Sequence, residues 1–305
     1  MTDQITFSPE VHDARTADKP MVALESTIIT HGMPFPQNVD TARQVEQDVR
    51  DAGAVPATIA VLDGRLHVGL TDKQLDVLGN AKNAMKISRA DLAVATATGR
   101  TGATTVAATM ICAHLAGIKT FATGGIGGVH RGAAHDFDIS ADLRELAITP
   151  VTVVSAGAKA ILDLPKTLEV LETLGVPVIS YRSDNLPAFW SRDSGLLSPL
   201  RLDSAAEIAA CHHKRQALGL RGGQLIANPI PKTDEISARV LAPLIARADQ
   251  DAKSAGILGK ALTPFLLSRI LDLTEGRSLQ ANIALVRNNA GLAAKIAIEL
   301  ARLSA

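Results

Sequence analysis

The feature of this chain that most constrains its fold is the repeated alternation of short apolar runs with stretches of helical length. Runs such as residues 21–24, 120–123 and 151–154 have the length and apolar content of buried strands. Helical segments lie between such runs, and one of them opens with Ser204 and Glu207, the pattern of a capping box. Because parallel strands need long crossover connections, which are usually helices, this order predicts a single-domain α/β protein. We expect an α/β/α layered fold with a central, mostly parallel sheet.

The same patterns give approximate bounds for the elements. Strands are predicted at residues 21–24, 58–62, 65–69, 92–96, 120–123, 151–154, 178–181 and 224–228. Helices are predicted at residues 37–52, 71–78, from the segment 98–105 through 114, from about 159, and at 167–174, 204–218, 235–255, 263–273 and 279–303. The second and third strands are expected to form a hairpin with its turn at Asp63–Gly64. The polar residues 1–20 are expected to form a loose arm or a short edge element, and residues 21–305 the domain itself.

Composition narrows the possible partners and the compartment. Lys plus Arg and Asp plus Glu number 31 each, so the chain has no general basic field, and no nucleic-acid or membrane partner is expected. The two cysteines, Cys112 and Cys211, share no spacing motif, and Cys112 lies in an apolar helical pattern typical of a buried thiol. These features, together with the lack of a recognisable signal peptide or membrane-spanning run, predict a cytoplasmic protein.

Lys159 is the candidate nucleophile of the chain. It follows the largely apolar run 151–158 and has an alanine on either side. An ammonium group in apolar surroundings loses hydration, which favours the neutral amine. A neutral amine can attack a carbonyl or a sugar carbon of aldehyde character and form a Schiff base.

Two segments upstream of this lysine are candidate ligand-binding loops. Residues 124–132 (GGIGGVHRG) follow a predicted strand, and their glycines allow backbone N–H groups to approach a phosphate closely, although a tight turn is the alternative. This loop carries neither the dinucleotide fingerprint nor a Walker lysine. Asp136, Asp138 and Asp142, with Ser140 among them, suit Mg²⁺ or Mn²⁺, although Asp138 or Ser140 can instead cap a helix.

The other candidate residues each have a purely structural alternative. Glu25 ends an apolar strand where ligands bind in α/β proteins, so it is a candidate general acid or base, or else a salt-bridge partner. Lys86 can bind a phosphate or be solvated. Asn282 can hydrogen-bond a nucleobase edge or bridge elements internally, and Trp190 is expected to be a packing or lid residue. Residues 211–213 (CHH) are not expected to bind a metal, because consecutive helical positions point apart.

Five motifs, taken in order, resemble those of the pseudouridine-5′-phosphate glycosidases. They are residues 23–34 (ALESTIITHGMP), 124–132 (GGIGGVHRG), 138–143 (DISADL), 154–163 (VSAGAKAILD) and 263–267 (TPFLL). The likeness extends from about residue 20 to the C-terminus.

This resemblance implies an α/β/α fold, a homotrimer, a divalent cation that is usually Mn²⁺ (or another such as Mg²⁺), and reversible cleavage of the C–C bond between ribose 5-phosphate and uracil in pseudouridine catabolism. On the matching positions, Lys159 would be the Schiff-base nucleophile, Glu25 the proton donor and Asp138 the residue that holds the metal. The substrate site would be lined by Lys86, Val106, Ser140, Asp142, Thr123, His130 and Asn282. The chain departs from the family pattern around His135 and Asp136, so no role is carried over to these two residues.

The chemistry accords with these assignments. A C-glycoside has no leaving oxygen or nitrogen whose protonation readily breaks the bond, so the two-carboxylate scheme of O-glycosides fits poorly. An iminium between the opened ribose and Lys159 provides an electron sink, and protonation of the uracil carbon then lets the C–C bond break. The alternative function is a Schiff-base aldolase acting on a sugar phosphate. A sugar-phosphate-binding regulator without catalytic activity is a further alternative.

Overall fold

The structure is a computed structural model that describes residues 5–304. Its strands are β1 (Ile5–Phe7), β2 (Met21–Leu24), β3 (Val55–Leu62), β4 (Arg65–Val68), β5 (Met85–Ile87), β6 (Gly102–Thr104), β7 (Thr120–Ala122), β8 (Thr152–Ser155), β9 (Val178–Tyr181), β10 (Leu200–Leu202) and β11 (Gln224–Ala227). Its helices are α1 (Pro9–Thr16), α2 (Thr27–His31), α3 (Gln37–Asp51), α4 (Asp72–Gly79), α5 (Arg89–Ala97), α6 (Val106–Leu115), α7 (Ala133–Asp136), α8 (Ala141–Ile148), α9 (Leu164–Thr173), α10 (Ala205–Ala217), α11 (Ala238–Ser254), α12 (Leu262–Leu273) and α13 (Arg277–Ser304).

The strands form one mostly parallel sheet, as predicted. Their order is β1-β4-β3-β2-β7-β8-β11-β9-β10, and β6 joins β5 to β3. Only the pairs β3–β4 and β3–β6 are antiparallel among the described strands. Because β2, β7, β8 and β11 are adjacent and parallel, their carboxyl ends meet at one edge of the sheet, where open α/β proteins bind ligands.

Two groups of helices cover the sheet. The long helix α13 packs against α3 and α10 and against strands β2, β7 and β8, while α6 packs against α8 and against strands β2, β3 and β7. The core between these layers consists almost entirely of Ala, Val, Leu and Ile, with Trp190 and Phe121 as its largest buried side chains. No helix within residues 5–304 is both long enough and apolar enough to cross a bilayer.

Most predicted elements are confirmed. The hairpin turns at Asp63 and Gly64, whose φ angles of 48° and 76° are those of a left-handed two-residue turn. Thr71 caps α4 in a capping box with Gln74. The capping box of Ser204 opens α10 as predicted.

Two elements differ from the prediction. Residues 92–96 are not a buried strand but part of helix α5, in which only Ala95 is buried. A run of five apolar or small residues has no period that separates a strand from a helix, and the Ser88–Asp91 cap decides for the helix, with Ser88 N donating to Asp91 Oδ2 at 3.0 Å. No helix begins at Lys159, because residues 156–163 form a loop with a single turn, in which Leu162 N donates to Lys159 O at 3.0 Å, and α9 begins at Leu164.

Two further segments can be compared with their predictions. Residues 5–16 form an edge element, the second of the two expected alternatives: β1 is an edge strand paired in parallel with β4, and α1 buries Val11 and Ala14. Residues 1–4 of the predicted arm lie outside the described part. The segment 98–105 does not simply open a helix, since Gly102–Thr104 form β6 before α6 begins at Val106.

Candidate active site

A cavity of about 390 Å³ opens at the carboxyl edge of the sheet. It collects four of the predicted site residues, Glu25, Lys86, Lys159 and Asn282. Its apolar wall comes from Phe189 and from helices α12 and α13, and includes Pro264, Leu267, Leu271, Leu279 and Leu285. Polar groups that converge in a largely apolar cavity of this size are typical of a small-molecule site.

Lys159 reaches the cavity from the loop that follows β8. Its backbone N–H donates to Ile126 O at 3.1 Å, and Ile126 N donates to Gly157 O at 3.1 Å, so the parallel β7–β8 pairing continues past both strand ends. Gly157 is required here because its φ is +86° and a Cβ would lie 2.7 Å from Pro187 O. The Lys159 side chain is half-buried, and its Nζ makes no hydrogen bond or ion pair with any residue that the structure describes. An amine without a carboxylate partner remains available to react.

Glu25 follows the end of β2 and lines the same cavity. One of its carboxylate oxygens accepts the hydroxyl of Thr123 and the other accepts the hydroxyl of Thr27. Thr123 is fully buried at the end of β7. These two hydroxyls fix the plane of the carboxylate, so the prediction of a salt bridge to an arginine is wrong among the described residues.

Asp142 acts on the shape of the glycine-rich loop. Its carboxylate is buried, and it accepts the N–H groups of Gly127 at 2.8 Å and Ala107 at 2.9 Å. Ser140 caps α8 at the Asp142 amide and donates its own N–H to Gly128 O at 3.0 Å. The two residues thus hold the loop to the first turn of α6, which begins at Val106.

The glycines of this loop are required by close packing. A Cβ on Gly127 would lie 2.3 Å from Ser140 Oγ and 2.8 Å from Asp142 Oδ2, and one on Gly125 would lie 2.6 Å from the Phe189 ring. Neither glycine has a φ in the left-handed region, so the close approach of neighbouring side chains, and not the backbone conformation, requires them.

Two histidines at or near the cavity have lowered pKa values. Burial lowers the pKa of His130; Asp138 opposes this effect, while Lys159 and Lys86 add to it. Burial, followed by the charge of Lys86, also lowers the pKa of His31, which lines the cavity. Both imidazoles are therefore neutral near pH 7.

The acidic cluster does not form a metal cage. Within residues 5–304, no three His, Cys, Asp or Glu side chains lie close enough together to hold a metal ion. Asp142 is committed to backbone amides, and Asp136 Oδ1 accepts the N–H of Asp138 at 3.0 Å. Asp138 is half-buried, and no described residue donates a hydrogen bond to its carboxylate. Its oxygens are available to a hydrated cation.

Helix α13 brings amide side chains to the cavity and to the loop behind it. Asn282 lines the cavity and accepts the indole N–H of Trp190 at 2.7 Å. Asn289 is fully buried and donates to Thr123 O at 2.8 Å, and it accepts from Asn228 at 3.0 Å. Trp190 is itself fully buried, so it is a packing residue and not a lid.

The other predicted site residues are not among the described residues that line the cavity. Thr123 donates its hydroxyl to Glu25, and Ser140 and Asp142 support the glycine-rich loop, whereas Val106 is the buried first residue of α6. Sequence reasoning missed Thr27, although it lies within the 23–34 motif, two residues after Glu25.

The prediction that Cys112 is a buried thiol is confirmed. Cys112 and Cys211 are free, and burial raises the pKa of the Cys112 thiol to about 12. His212 is buried, where Thr152 Oγ1 lies 2.9 Å from its Nδ1 and Gln216 Nε2 lies 3.0 Å from its Nε2. Both ring nitrogens are thus engaged within the protein.

The whole chain is similar to known proteins of one family. The family described as indigoidine synthase A like protein matches residues 10–299. A pseudouridine-5′-phosphate glycosidase of Jannaschia sp. is 68% identical over 297 residues, which cover 97% of this chain and 98% of the relative. One from Paracoccus denitrificans is 64% identical over 303 residues, covering 99% of this chain and 100% of the relative.

Two solved structures share the fold. The prealnumycin C-glycosynthase AlnA in complex with ribulose 5-phosphate has a TM-score of 0.91 and 38% identity, with coverage of 98% of each chain. An indigoidine synthase A-like protein from Thermotoga maritima has a TM-score of 0.89 and 32% identity, covering 98% of this chain and 97% of that one.

Proposed function

The chain belongs to the indigoidine synthase A like family, and from that membership we propose that it reversibly cleaves the C-glycosidic bond of pseudouridine 5′-phosphate to uracil and ribose 5-phosphate. The enzyme is a C-glycosidase that acts on a small sugar phosphate. The single observation that carries the mechanism is Lys159, whose unpaired amine faces the same cavity as the Glu25 carboxylate.

We propose a Schiff-base route for the reaction. The Lys159 amine attacks C1 of the ribose, the bond from C1 to the ring oxygen breaks, and Glu25 donates a proton to that oxygen. The Glu25 carboxylate takes a proton from the alkylated lysine nitrogen, whose lone pair then forms the C=N bond as the C–C bond breaks, and Glu25 returns this proton to the uracil carbon. Water adds to C1 of the iminium, the C–N bond breaks, and ribose 5-phosphate leaves. The overall reaction consumes one water and regenerates the amine of Lys159.

The surroundings of the cavity support this route. Lys86 and the glycine-rich loop lie beside the cavity. Lys86 would hold the phosphate dianion by its charge, and the loop would hold it by its backbone N–H groups. The apolar wall excludes water from the carbon that must be protonated, which strengthens each electrostatic contact in the site.

We also propose that a divalent cation, Mn²⁺ or Mg²⁺, is held by Asp138, in part through water. One carboxylate with water and phosphate oxygens is the donor set that hard cations accept when they keep much of their hydration. When bound, the cation would neutralise phosphate charge and help to orient the substrate.

The family resemblance further leads us to propose a homotrimer that acts in the cytoplasm. The free thiols of Cys112 and Cys211 are compatible with a reducing compartment. Sedimentation of the purified protein tests the trimer directly, and a monomer would contradict it.

The function is tested by incubating the protein with Mn²⁺ and pseudouridine 5′-phosphate and measuring free uracil. Borohydride added during turnover should leave one ribose phosphate on Lys159, detected by peptide mass, because reduction converts the iminium to a stable secondary amine. Lys159→Met should abolish both uracil release and the adduct.

The matched control is Lys73→Met, since Lys73 is exposed on α4 and far from the cavity lining. It should release uracil at the unaltered rate. Release of uracil by folded Lys159→Met at a comparable rate would contradict the Schiff-base route.

A further inference from the structure

The buried indole of Trp190 contacts the cavity amide of Asn282. Trp190 is 0% exposed, and its Nε1–H donates to Asn282 Oδ1 at 2.7 Å. A buried N–H without an acceptor is destabilising, so this contact is favoured over a rotated amide.

The contact decides which end of the amide faces a ligand. Indole nitrogen can only donate, so the atom of Asn282 nearest to it must be the carbonyl oxygen and not the nitrogen. The Asn282 NH₂ group is then the part left for the cavity, and no residue in the described range accepts a hydrogen bond from it. Asn282 is therefore placed to act toward a ligand as a hydrogen-bond donor, because the indole engages its carbonyl oxygen.

Trp190 is itself held in place on several sides. Its ring meets Phe189 edge to face with centroids 5.0 Å apart, and its carbonyl accepts Ile236 N–H at 2.9 Å. Phe189 N–H donates to Ala156 O at 2.9 Å, just past the end of β8 and three residues before Lys159. The indole is thus fixed relative to the nucleophile, and through it the amide is fixed as well.

We propose that Trp190 is a positioning residue that locks Asn282 as a hydrogen-bond donor, so that the site selects a nucleobase which presents a carbonyl oxygen at that point. The proposal rests on the proposed function and adds a determinant of base choice to it. A base with an amino group in that place would set donor against donor and leave a polar group of the site unpaired, and sites of this kind reject such analogues strongly.

The test uses the synthetic direction, in which ribose 5-phosphate is joined to a free base. Trp190→Phe keeps a large aromatic ring but removes the N–H, so the amide of Asn282 can rotate. We expect kcat/KM for uracil to fall about tenfold, mainly through a higher KM for the base, as for the loss of one hydrogen bond. We expect wild type to discriminate against one of two analogues, 2-thiouracil or 4-thiouracil. In Trp190→Phe the selectivity for uracil over that analogue should fall as well.

Asn282→Asp is the complementary variant. It can keep the bond to Trp190 but offers an acceptor to the cavity in place of the donors. The kcat/KM for uracil should fall by ~10²-fold or more, and the preference should shift toward cytosine or isocytosine, which carry an amino group in place of one carbonyl. Asn288→Asp on the same helix is the control: Asn288 donates to Pro229 O and does not line the cavity, so base selectivity should remain as in wild type.

Borohydride trapping of ribose 5-phosphate alone separates positioning from general damage. No base takes part in that step, so Trp190→Phe should trap the sugar as wild type does. A loss of trapping in Trp190→Phe would overturn the proposal in favour of a purely structural role. Unchanged base KM and selectivity in that variant would also overturn it. If wild type itself fails to join uracil to ribose 5-phosphate, the proposed function fails instead.

Discussion

Glu25 shows how a single side chain acquires a role from its neighbours. The sequence places it at the end of an apolar strand, but its geometry depends on the hydroxyls of Thr27 and Thr123, one from its own loop and one from the next strand in the sheet. Hydrogen bonds to both oxygens fix the carboxylate opposite Lys159 and leave lone pairs for the substrate. A residue that must give and take one proton in a single turnover needs this kind of fixed orientation.

The substitution Glu25→Gln should reduce turnover of pseudouridine 5′-phosphate by ~10²-fold or more, because the amide cannot exchange the proton. The melting temperature should change little, since an amide can still accept one of the two hydroxyls. Uracil release measured at saturating substrate gives the rate. Glu169→Gln, at an exposed position on α9, is the control, and turnover of Glu25→Gln close to that of this control would remove Glu25 from the mechanism.

At the scale of single elements, the glycine-rich loop is shaped by a partner that lies after it in the chain. Asp142 accepts one amide from the loop and one from the start of α6, so it connects three segments. The sequence identifies the glycines and the aspartate separately. Only the structure shows that the close approach of Ser140 and Asp142 to Gly127 is the reason that glycine is required there.

Gly127→Ala should therefore lower activity at least about tenfold and destabilise the protein by ~1–3 kcal/mol, because the methyl group forces the loop away from Asp142. Gly291→Ala is the control. No atom lies within 4 Å of a Cβ placed at Gly291 in α13, so this helix substitution should stabilise by ~0.5–1 kcal/mol and leave activity intact. Urea unfolding and uracil release measure the two effects, and equal behaviour of the two variants would contradict this account.

Two asparagines of helix α13 make contacts that no local sequence pattern predicts. Asn282 and Asn289 are two helical turns apart and thus share one face of the helix, and they contact a buried indole and the end of β7 respectively. The sequence left open whether such amides read a base or bridge elements. In the structure Asn289 bridges, and Asn282 bridges with its oxygen while its nitrogen faces the cavity.

For the whole molecule, the sheet creates the site and also sets a limit on acid stability. His212 in α10 contacts Thr152 of β8, and burial, followed by the charges of Lys119, Arg215 and His213, lowers its pKa to about 4. The folded state therefore holds the imidazole neutral, whereas the unfolded chain protonates it below about pH 6.5. Because the unfolded state then binds more protons, the free energy of unfolding must fall as the pH falls through this range.

His212 should lower the free energy of unfolding by at most roughly 3 kcal/mol as the pH falls from 6.5 to 4. Below pH 4 this group should lower it no further. His212→Gln cannot titrate, so its unfolding free energy should depend less on pH across the same window. Urea unfolding at a series of pH values measures the difference. His114→Gln, at an exposed position, should retain the pH dependence of wild type, and an identical profile for all three proteins would contradict the assignment.

The layered α/β fold, the positions where strands end in reactive side chains, and the family could all be predicted from the amino-acid sequence. These features are local or periodic: an apolar run, a cap, or a glycine pattern is visible in a window of a few residues. The same locality explains the misreading of α5, because a short apolar run lacks a period, and of Lys159, because a loop held by strand-like pairing has no signature of its own.

Only the tertiary structure decided which of those side chains meet. Parallel order brings the ends of β2, β7 and β8 together, and so places Glu25 and Lys159 around one cavity although 134 positions separate them in the chain. Hydrogen-bond partners such as Thr123 for Glu25, or Trp190 for Asn282, come from distant segments, and their orientation follows from the requirement that buried polar groups be paired. That requirement acts in three dimensions, and for this reason no one-dimensional pattern contains it.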